Sequence, residues 1–247
     1  MADSAGHNGY VDSAVKRFFD VCLSGAGLVV SSPLWGLVAL ALKLEGQGPV
    51  FYRQGRIGKD GGMFNCLKFR SMVASSNGHE GAVPTAENDP RVTRVGRILR
   101  ATAMDELPQL WNIFCGDMSF VGPRPEWDEL VAKFRKEIAS FDRRHAVRPG
   151  LTGLAQIYGD SEMSRRKKLR YDLLYIRRRS FWLDVKLVLA SFFVTMLGRW
   201  EHRGAKLLRS RRLSRSLRER AMGAGRIAEK AGRALEMVET DAVAKLP

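Results

Sequence analysis

Asp105 and Glu106 stand side by side in the stretch RATAMDELPQLWNIFCGDMSFVGPRPE, residues 100–126. Later in the same stretch Arg124 is set between Pro123 and Pro125. Adjacent carboxylates with a nearby guanidinium fixed by two prolines suit the handling of a metal-bound phosphate. The carboxylates hold Mg²⁺ or attack phosphorus, and the arginine forks onto phosphate oxygens. An isolated Asp-Glu pair at a helix start is ordinarily just a dipole-favoured terminus. Three features favour chemistry here. The flanks are dense in Pro108, Trp111, Gly116 and Gly122; cations able to take phosphate lie nearby in sequence (Lys68, Arg70, Arg97, Arg100, Arg148); and an apolar segment sits upstream, as a lipid substrate would require. A carboxylate is a competent nucleophile on phosphorus once a metal neutralises the repelling oxygens. At a positively polarised helix start it is expected to stay ionised. His79 and His145 are alternative bases, Asp89 is expected to cap the helix after it, and Asp117 to support a turn.

These groups need a scaffold, and composition bounds it. The chain has 247 residues, 45% of them hydrophobic, which favours one domain with appendages. Its formal net charge is +15 and its pI about 10.2. Such a balance implies an anionic partner: nucleic acid, acidic lipid or a phosphorylated substrate. The charge is concentrated late, with twelve Lys and Arg against three Glu between Arg199 and Leu235. The cysteines, Cys22, Cys66 and Cys115, lack metal-ligand or redox spacing and are expected to be buried free thiols in a reducing compartment. The first residues, MADSAGHNGYVDSA, lack the basic-then-apolar order of a cleavable signal.

Val21 to Leu42 is a run of 22 residues without a charge, just long enough to span a bilayer core as a straight helix. Ser32-Pro33 sits in its middle, where proline removes a backbone hydrogen bond at about 3 kcal/mol; the Ser31 and Ser32 hydroxyls are placed to take up freed backbone groups. Basic residues flank both ends, so the positive-inside rule gives no direction for a crossing. Both facts fit a helix–break–helix hairpin that enters one leaflet and returns, against a kinked single-pass helix or a buried helix of a soluble protein. Phe181 to Leu197, carrying Asp184 and Lys186, reads as a helix lying in the interface, with a buried core helix as the alternative.

Val50 to Met72 reads as a β-hairpin turning at 59–62, and 73–90 as a polar loop. Helices are expected from Asp89-Pro90 through RVTRVGRILRAT, with a basic stripe at 91, 94, 97 and 100; from Asp105 to Cys115; from Glu126 to Ser140; and over 162–179. Strands are too few for a doubly wound sheet. The fold class is α+β, mainly α. Residues 1–11 read as disordered, 12–44 as a re-entrant membrane helix, 45–200 as a catalytic domain with interfacial helices, and 201–247 as a basic extension. That extension suits an amphipathic helix on anionic lipid or a solvated tail; it lacks the interleaved aromatics of a nucleic-acid arm, and no nucleic-acid partner is expected.

The chain resembles the bacterial sugar transferase family, the small monotopic phosphoglycosyl transferases, over about residues 12–200. The motifs run in family order: Ser32-Pro33 in the apolar segment, KFRSM at 68–72, DPRVTRVGRILR at 89–100, DELPQLWNIFCGDMSFVGPRP at 105–125, RHAVRPGLTGLAQIYG at 144–159 and RYDLLYIRRRSFWLDVKLVL at 170–189. The resemblance implies transfer of a sugar 1-phosphate from a UDP-sugar to a polyprenyl phosphate such as undecaprenyl phosphate, releasing UMP, to start a surface polysaccharide or glycoconjugate. It implies Asp105 as the nucleophile that carries a covalent phosphosugar, and Glu106 with Asp105 as the site of Mg²⁺ or Mn²⁺. Lys68, Arg70, Arg100, Arg124, Arg148 and Asp172 are the expected substrate-binding positions, Asp172 as polar support. The implied place is the cytoplasmic face of the bacterial inner membrane, monotopic, on an anionic bilayer, with a homodimer and later glycosyltransferases as further partners. Larger relatives carry additional membrane helices and a further domain, and this chain looks like the minimal form. The alternative from another class is a non-catalytic membrane adaptor that binds acidic lipid or nucleic acid through its basic tail.

Overall fold

A computed structural model describes residues 14–73, 89–159 and 163–204, with side chains as far as 195. The expected loop with His79, the disordered start and the basic tail lie outside the described residues. The chain divides into two compact units, Met1–Arg199 and Trp200–Pro247; the first carries every side-chain contact discussed below.

The charge-free run forms α1, Ala14–Glu45, as one helix with Pro33 inside it. The expected division into two helices is absent, and the reason is local. Proline cannot donate to the carbonyl four residues earlier, that of Val29. The Ser32 hydroxyl donates to that carbonyl instead, at 2.8 Å, and Ser31 Oγ donates to Gly27 O at 2.6 Å. Among the described residues α1 is the one helix long and apolar enough to cross a membrane.

Both ends of α1 are fastened to the same folded unit. Near its start Lys16 is buried against Asp184, Tyr175 Oη and the Val121 carbonyl, and Arg17 donates to the carbonyls of Ile113 and Phe114 at 2.7 and 2.6 Å. At its end Arg70 donates to the carbonyls of Leu42, Gly46 and Gln47. Such a cation answers the orphan carbonyls of a helix C-terminus. Glu45 Oε1 accepts from the Val95 amide at 2.8 Å. Between these anchors one face of the helix is exposed, with Val29 and Val30 exposed by 74% and 81%.

The expected hairpin is present: β1, Phe51–Ile57, pairs antiparallel with β2, Met63–Phe69, from Phe51↔Phe69 to Ile57↔Met63. α2, Arg94–Ala101, starts later than expected. Its cap is Thr93, whose hydroxyl accepts from the Gly96 amide at 2.9 Å. Asp89 binds the backbone and side chain of Arg91 in the turn before it. α3, Gln109–Cys115, ends at Gly116 with φ +99°, a left-handed close that favours glycine. A second, parallel pair escapes the pattern of the sequence: β3, Ser119–Val121, against β4, Gly150–Thr152. A Cβ on Gly150 would lie 2.1 Å from the Gly122 amide nitrogen, so this pairing requires glycine. α4, Asp128–Glu137, α5, Leu154–Tyr158, and α6, Arg165–Arg178, complete the body.

α7, Phe181–Gly204, is the expected second apolar helix. Asp184 is fully buried in its first turn, against Lys16 and Tyr175, while Trp182, Leu189 and Phe193 are exposed. The helix is therefore neither wholly core nor wholly surface. One apolar cluster lies beneath the first half of α1, around Ile113, Met118, Tyr175 and Leu187; another lies beneath its second half, around Val38, Leu42, Phe69 and Leu99.

Candidate active site

The carboxylate pair lies on a 3-10 turn, Met104–Glu106, rather than in the first turn of α3. Pro108 has no amide proton to send back to Met104, so the Leu107 amide takes that carbonyl at 3.1 Å and the turn tightens. Ala103, just before it, holds φ +48°, a left-handed conformation that strains an alanine. The backbone thus enters the pair through a sharp turn and leaves it through a proline.

Asp105 is 8% exposed. Burial pushes its pKa above the ordinary carboxylate range, and the charge of Lys68, then those of Arg100 and Arg124, pull the other way. A three-residue turn does not provide the dipole expected of a helix start; these cations support the ionised form in its place. Glu106 Oε1 accepts from Lys68 Nζ at 2.7 Å and from Arg124 Nη2 at 2.6 Å. Burial alone would raise the Glu106 pKa, but Arg124 and Lys68 outweigh it and hold the carboxyl well below its usual range. Glu106 in turn pushes the Arg124 pKa up.

Arg124 is held by its backbone. The Pro123 carbonyl accepts from the Gly150 amide at 2.9 Å, the Arg124 carbonyl from Arg144 Nη2 at 2.8 Å, and the Pro125 carbonyl from Arg56 Nη1 at 2.7 Å. The Glu126 carbonyl accepts from the Ile57 amide at 3.0 Å. Four consecutive carbonyls are thus tied, with two prolines between them. The guanidinium itself stays accessible, with the side chain 45% exposed. A cation on a rigid stem, beside two carboxyls, can receive a phosphate with little loss of side-chain freedom.

The model of a family described as bacterial sugar transferase matches residues 11–198. The chain belongs to the bacterial sugar transferase family. Among similar family members, a UDP-glucose:undecaprenyl-phosphate glucose-1-phosphate transferase of Klebsiella pneumoniae is 42% identical over 74% of this chain and 40% of its own length. A UDP-N-acetylgalactosamine-undecaprenyl-phosphate N-acetylgalactosaminephosphotransferase of Aeromonas hydrophila is 41% identical over 74% of this chain and 44% of its own length. The exopolysaccharide production protein PSS of Rhizobium leguminosarum bv. phaseoli is 39% identical over 73% of this chain and 94% of its own length. The chain thus spans about two fifths of the first two relatives and nearly all of the third.

The family motifs bring together Asp105, Glu106, Lys68 and Arg124. Arg100, exposed on α2, contributes its charge to Asp105. Other expected substrate-binding residues have structural partners. Arg70 caps α1, as above. Arg148 Nε donates to the Gly116 carbonyl at 2.9 Å, at the end of α3. Asp172 is buried against Arg144, with Oδ2 2.9 Å from Nε, and so supports Arg124 through one intermediate. Desolvation raises the Asp172 pKa and the Arg144 charge opposes it.

His145 lines a small cavity with Arg124; burial and then the Arg144 charge lower its pKa to about 4, so the ring is neutral at neutral pH. Asp117 accepts from Asn112 Nδ2 at 3.1 Å, supporting the turn as expected. Cys66 is a buried thiol, whereas Cys22 and Cys115 are exposed. Two supports gave no separable signal in sequence. Arg144 lies in a run of basic residues, and Asn112, which accepts from the Leu67 amide and donates to the Asn65 carbonyl, lies inside an apolar motif.

Proposed function

We propose that the chain transfers a sugar 1-phosphate from a UDP-sugar to a polyprenyl phosphate, in two steps through Asp105. What supports this most is the placement of a buried aspartate beside a glutamate already gripped by Lys68 and Arg124. An Asp105 carboxylate oxygen attacks the phosphorus that bears the sugar. The bond from that phosphorus to the UMP oxygen breaks, and UMP leaves. An oxygen of the polyprenyl phosphate then attacks the same phosphorus. The aspartyl–phosphorus bond breaks, the carboxylate is regenerated, and a polyprenyl diphosphosugar departs. Lys68, Arg124 and Arg100 hold the diphosphate and screen the approach of one anion to another. The relatives' names support undecaprenyl phosphate as acceptor; their different sugars at nearly equal identity leave the sugar to be measured.

The donor set bears on a metal. No group of three or more His, Cys, Asp or Glu among the described residues could hold an ion alone. Two adjacent carboxylates fit Mg²⁺ or Mn²⁺, which keep waters and complete their shell with substrate phosphates. Glu106, with Asp105, would hold it, and when bound it would neutralise phosphate charge.

The attachment of both α1 ends to one unit supports a monotopic topology. A straight crossing would require that unit on both sides of the bilayer. In this reading the bare middle of α1, around Ser32-Pro33, dips into the cytoplasmic leaflet of an anionic inner membrane, with the exposed face of α7 in the interface. Later glycosyltransferases are the partners the product calls for.

The test is UMP release by purified protein in detergent with Mg²⁺, undecaprenyl phosphate and a panel of UDP-sugars, beside Asp105→Asn. Release with one sugar that the substitution abolishes is expected. Equal release by the variant would reject Asp105 as nucleophile, and none from any sugar would favour a non-catalytic adaptor.

A further inference from the structure

α3 starts three residues after Glu106, and its exposed residues are Trp111, Phe114 and Cys115. The sequence of this helix, QLWNIFC, contains no charge. Trp111 is 50% exposed and Phe114 38%, and their rings stack with centroids 6.0 Å apart at 27°. Large aromatics on a short helix beside a phosphate site cost solubility unless something apolar covers them.

The reverse side of the pair is bedded on α1. A Cβ on Gly25 would lie 3.5 Å from the Phe114 ring, and one on Gly27 would lie 3.1 Å from Leu110. Gly25-Ala26-Gly27 thus strips α1 to its backbone where α3 meets it. Val29 and Val30, exposed by 74% and 81%, follow this seat directly along α1.

We propose that Trp111 and Phe114 form the platform on which the first isoprene units of the acceptor lie, delivering its phosphate to Asp105. This rests on the transferase reading above. The acceptor's phosphate and chain are one molecule, so with phosphorus at Asp105 the chain begins within reach of that residue. Trp111 is five residues beyond Glu106, in the first turn of α3. The platform is uncharged, aromatic and bedded on the helix assigned to lipid. A flexible, unsaturated chain gains contact area on such a face, and the rings lose little freedom in offering it.

The test uses the full chain in detergent, with Trp111→Ala, Phe114→Ala and the conservative Trp111→Phe. Two reactions are compared. Exchange of labelled UMP into the UDP-sugar needs only the first step; transfer to undecaprenyl phosphate needs both. The alanine variants should raise the KM for undecaprenyl phosphate about tenfold, with exchange and membrane retention unchanged, and Trp111→Phe should restore most of the loss. Equal loss of exchange and transfer would show a merely structural role and overturn the proposal. Loss of membrane retention with an unchanged KM in detergent would assign the pair to bulk lipid and overturn it too, as would an unchanged KM alone. Absence of exchange in the unsubstituted protein with every UDP-sugar would instead remove the transferase reading on which the platform rests.

Discussion

The Arg124 guanidinium meets the Glu106 carboxylate through two nitrogens, Nη2 2.6 Å from Oε1 and Nη1 3.5 Å from Oε2. A divalent cation entering alone therefore competes with a fixed guanidinium, and with Lys68 on the same Oε1. A diphosphate that draws Arg124 onto its own oxygens frees Glu106. Mn²⁺, followed by electron paramagnetic resonance, should bind weakly alone and more tightly with UDP. Arg124→Gln should tighten binding of Mn²⁺ alone about tenfold, the order of one charge-assisted contact. Equal Mn²⁺ affinity with and without UDP would contradict the exchange.

Asp172 acts on the site through Arg144, which spans it and the Arg124 carbonyl. Arg144→Met should lower the transfer rate by about 10- to 100-fold if the misplaced Arg124 accounts for the effect. On an Arg124→Ala background the same substitution should cost little more, because coupled residues are not additive. Full additivity in that cycle would break the link.

The raised pKa of Asp105 has two consequences of opposite sign. Attack needs the ionised carboxylate, so the single-turnover rate of UMP release should fall as pH drops, with its midpoint above the ordinary aspartate value of about 3.9. For stability, a carboxyl whose pKa is higher folded than unfolded favours the fold while protonated, and this contribution is lost as pH rises through the folded pKa. Asp105→Asn should therefore raise Tm at neutral pH while abolishing activity. A lowered Tm at neutral pH would argue against a burial penalty at Asp105.

Lys16 and Asp184 are a buried ion pair, with side chains 6% and 0% exposed. Removing either charge leaves the other without this partner in a core that also holds the Asp20 carboxyl. Lys16→Met or Asp184→Leu alone should each cost about 3–5 kcal/mol, and the double substitution should recover most of that. Thermal unfolding in detergent measures it; a double variant as unstable as the sum of the singles would show that the charges are not the reason.

The Asp105-Glu106 pair and Arg124 are legible because phosphate chemistry would restrict them to few residue types and prolines mark the rigid stem. The hairpin and the helix bodies followed from alternation, apolar runs and turn residues. Sequence shows the charge of Arg70 and Arg148 but not which helix end lies within reach of each. Asp89 was read as a cap because Asp-Pro often starts helices; Thr93 prevails, with its hydroxyl on the Gly96 amide. The β3–β4 pair has three residues on each side, too few to show a period, and it depends on a glycine contact visible only in three dimensions. Ser32 was legible as a rescuer of the backbone at Pro33, but not that the rescue would leave a single helix.

The Lys16–Asp184 pair joins residues 168 positions apart. At roughly 5–20 residues per second, translation separates their synthesis by about ten to thirty seconds. Throughout that interval α1 has been made but its counter-ion has not. That contact therefore cannot form while the helix emerges, and it waits for α7. Assembly of this unit is thus completed from its far end, and a chain halted before Asp184 would hold every other anchor of α1 with the Lys16–Asp184 contact unmade.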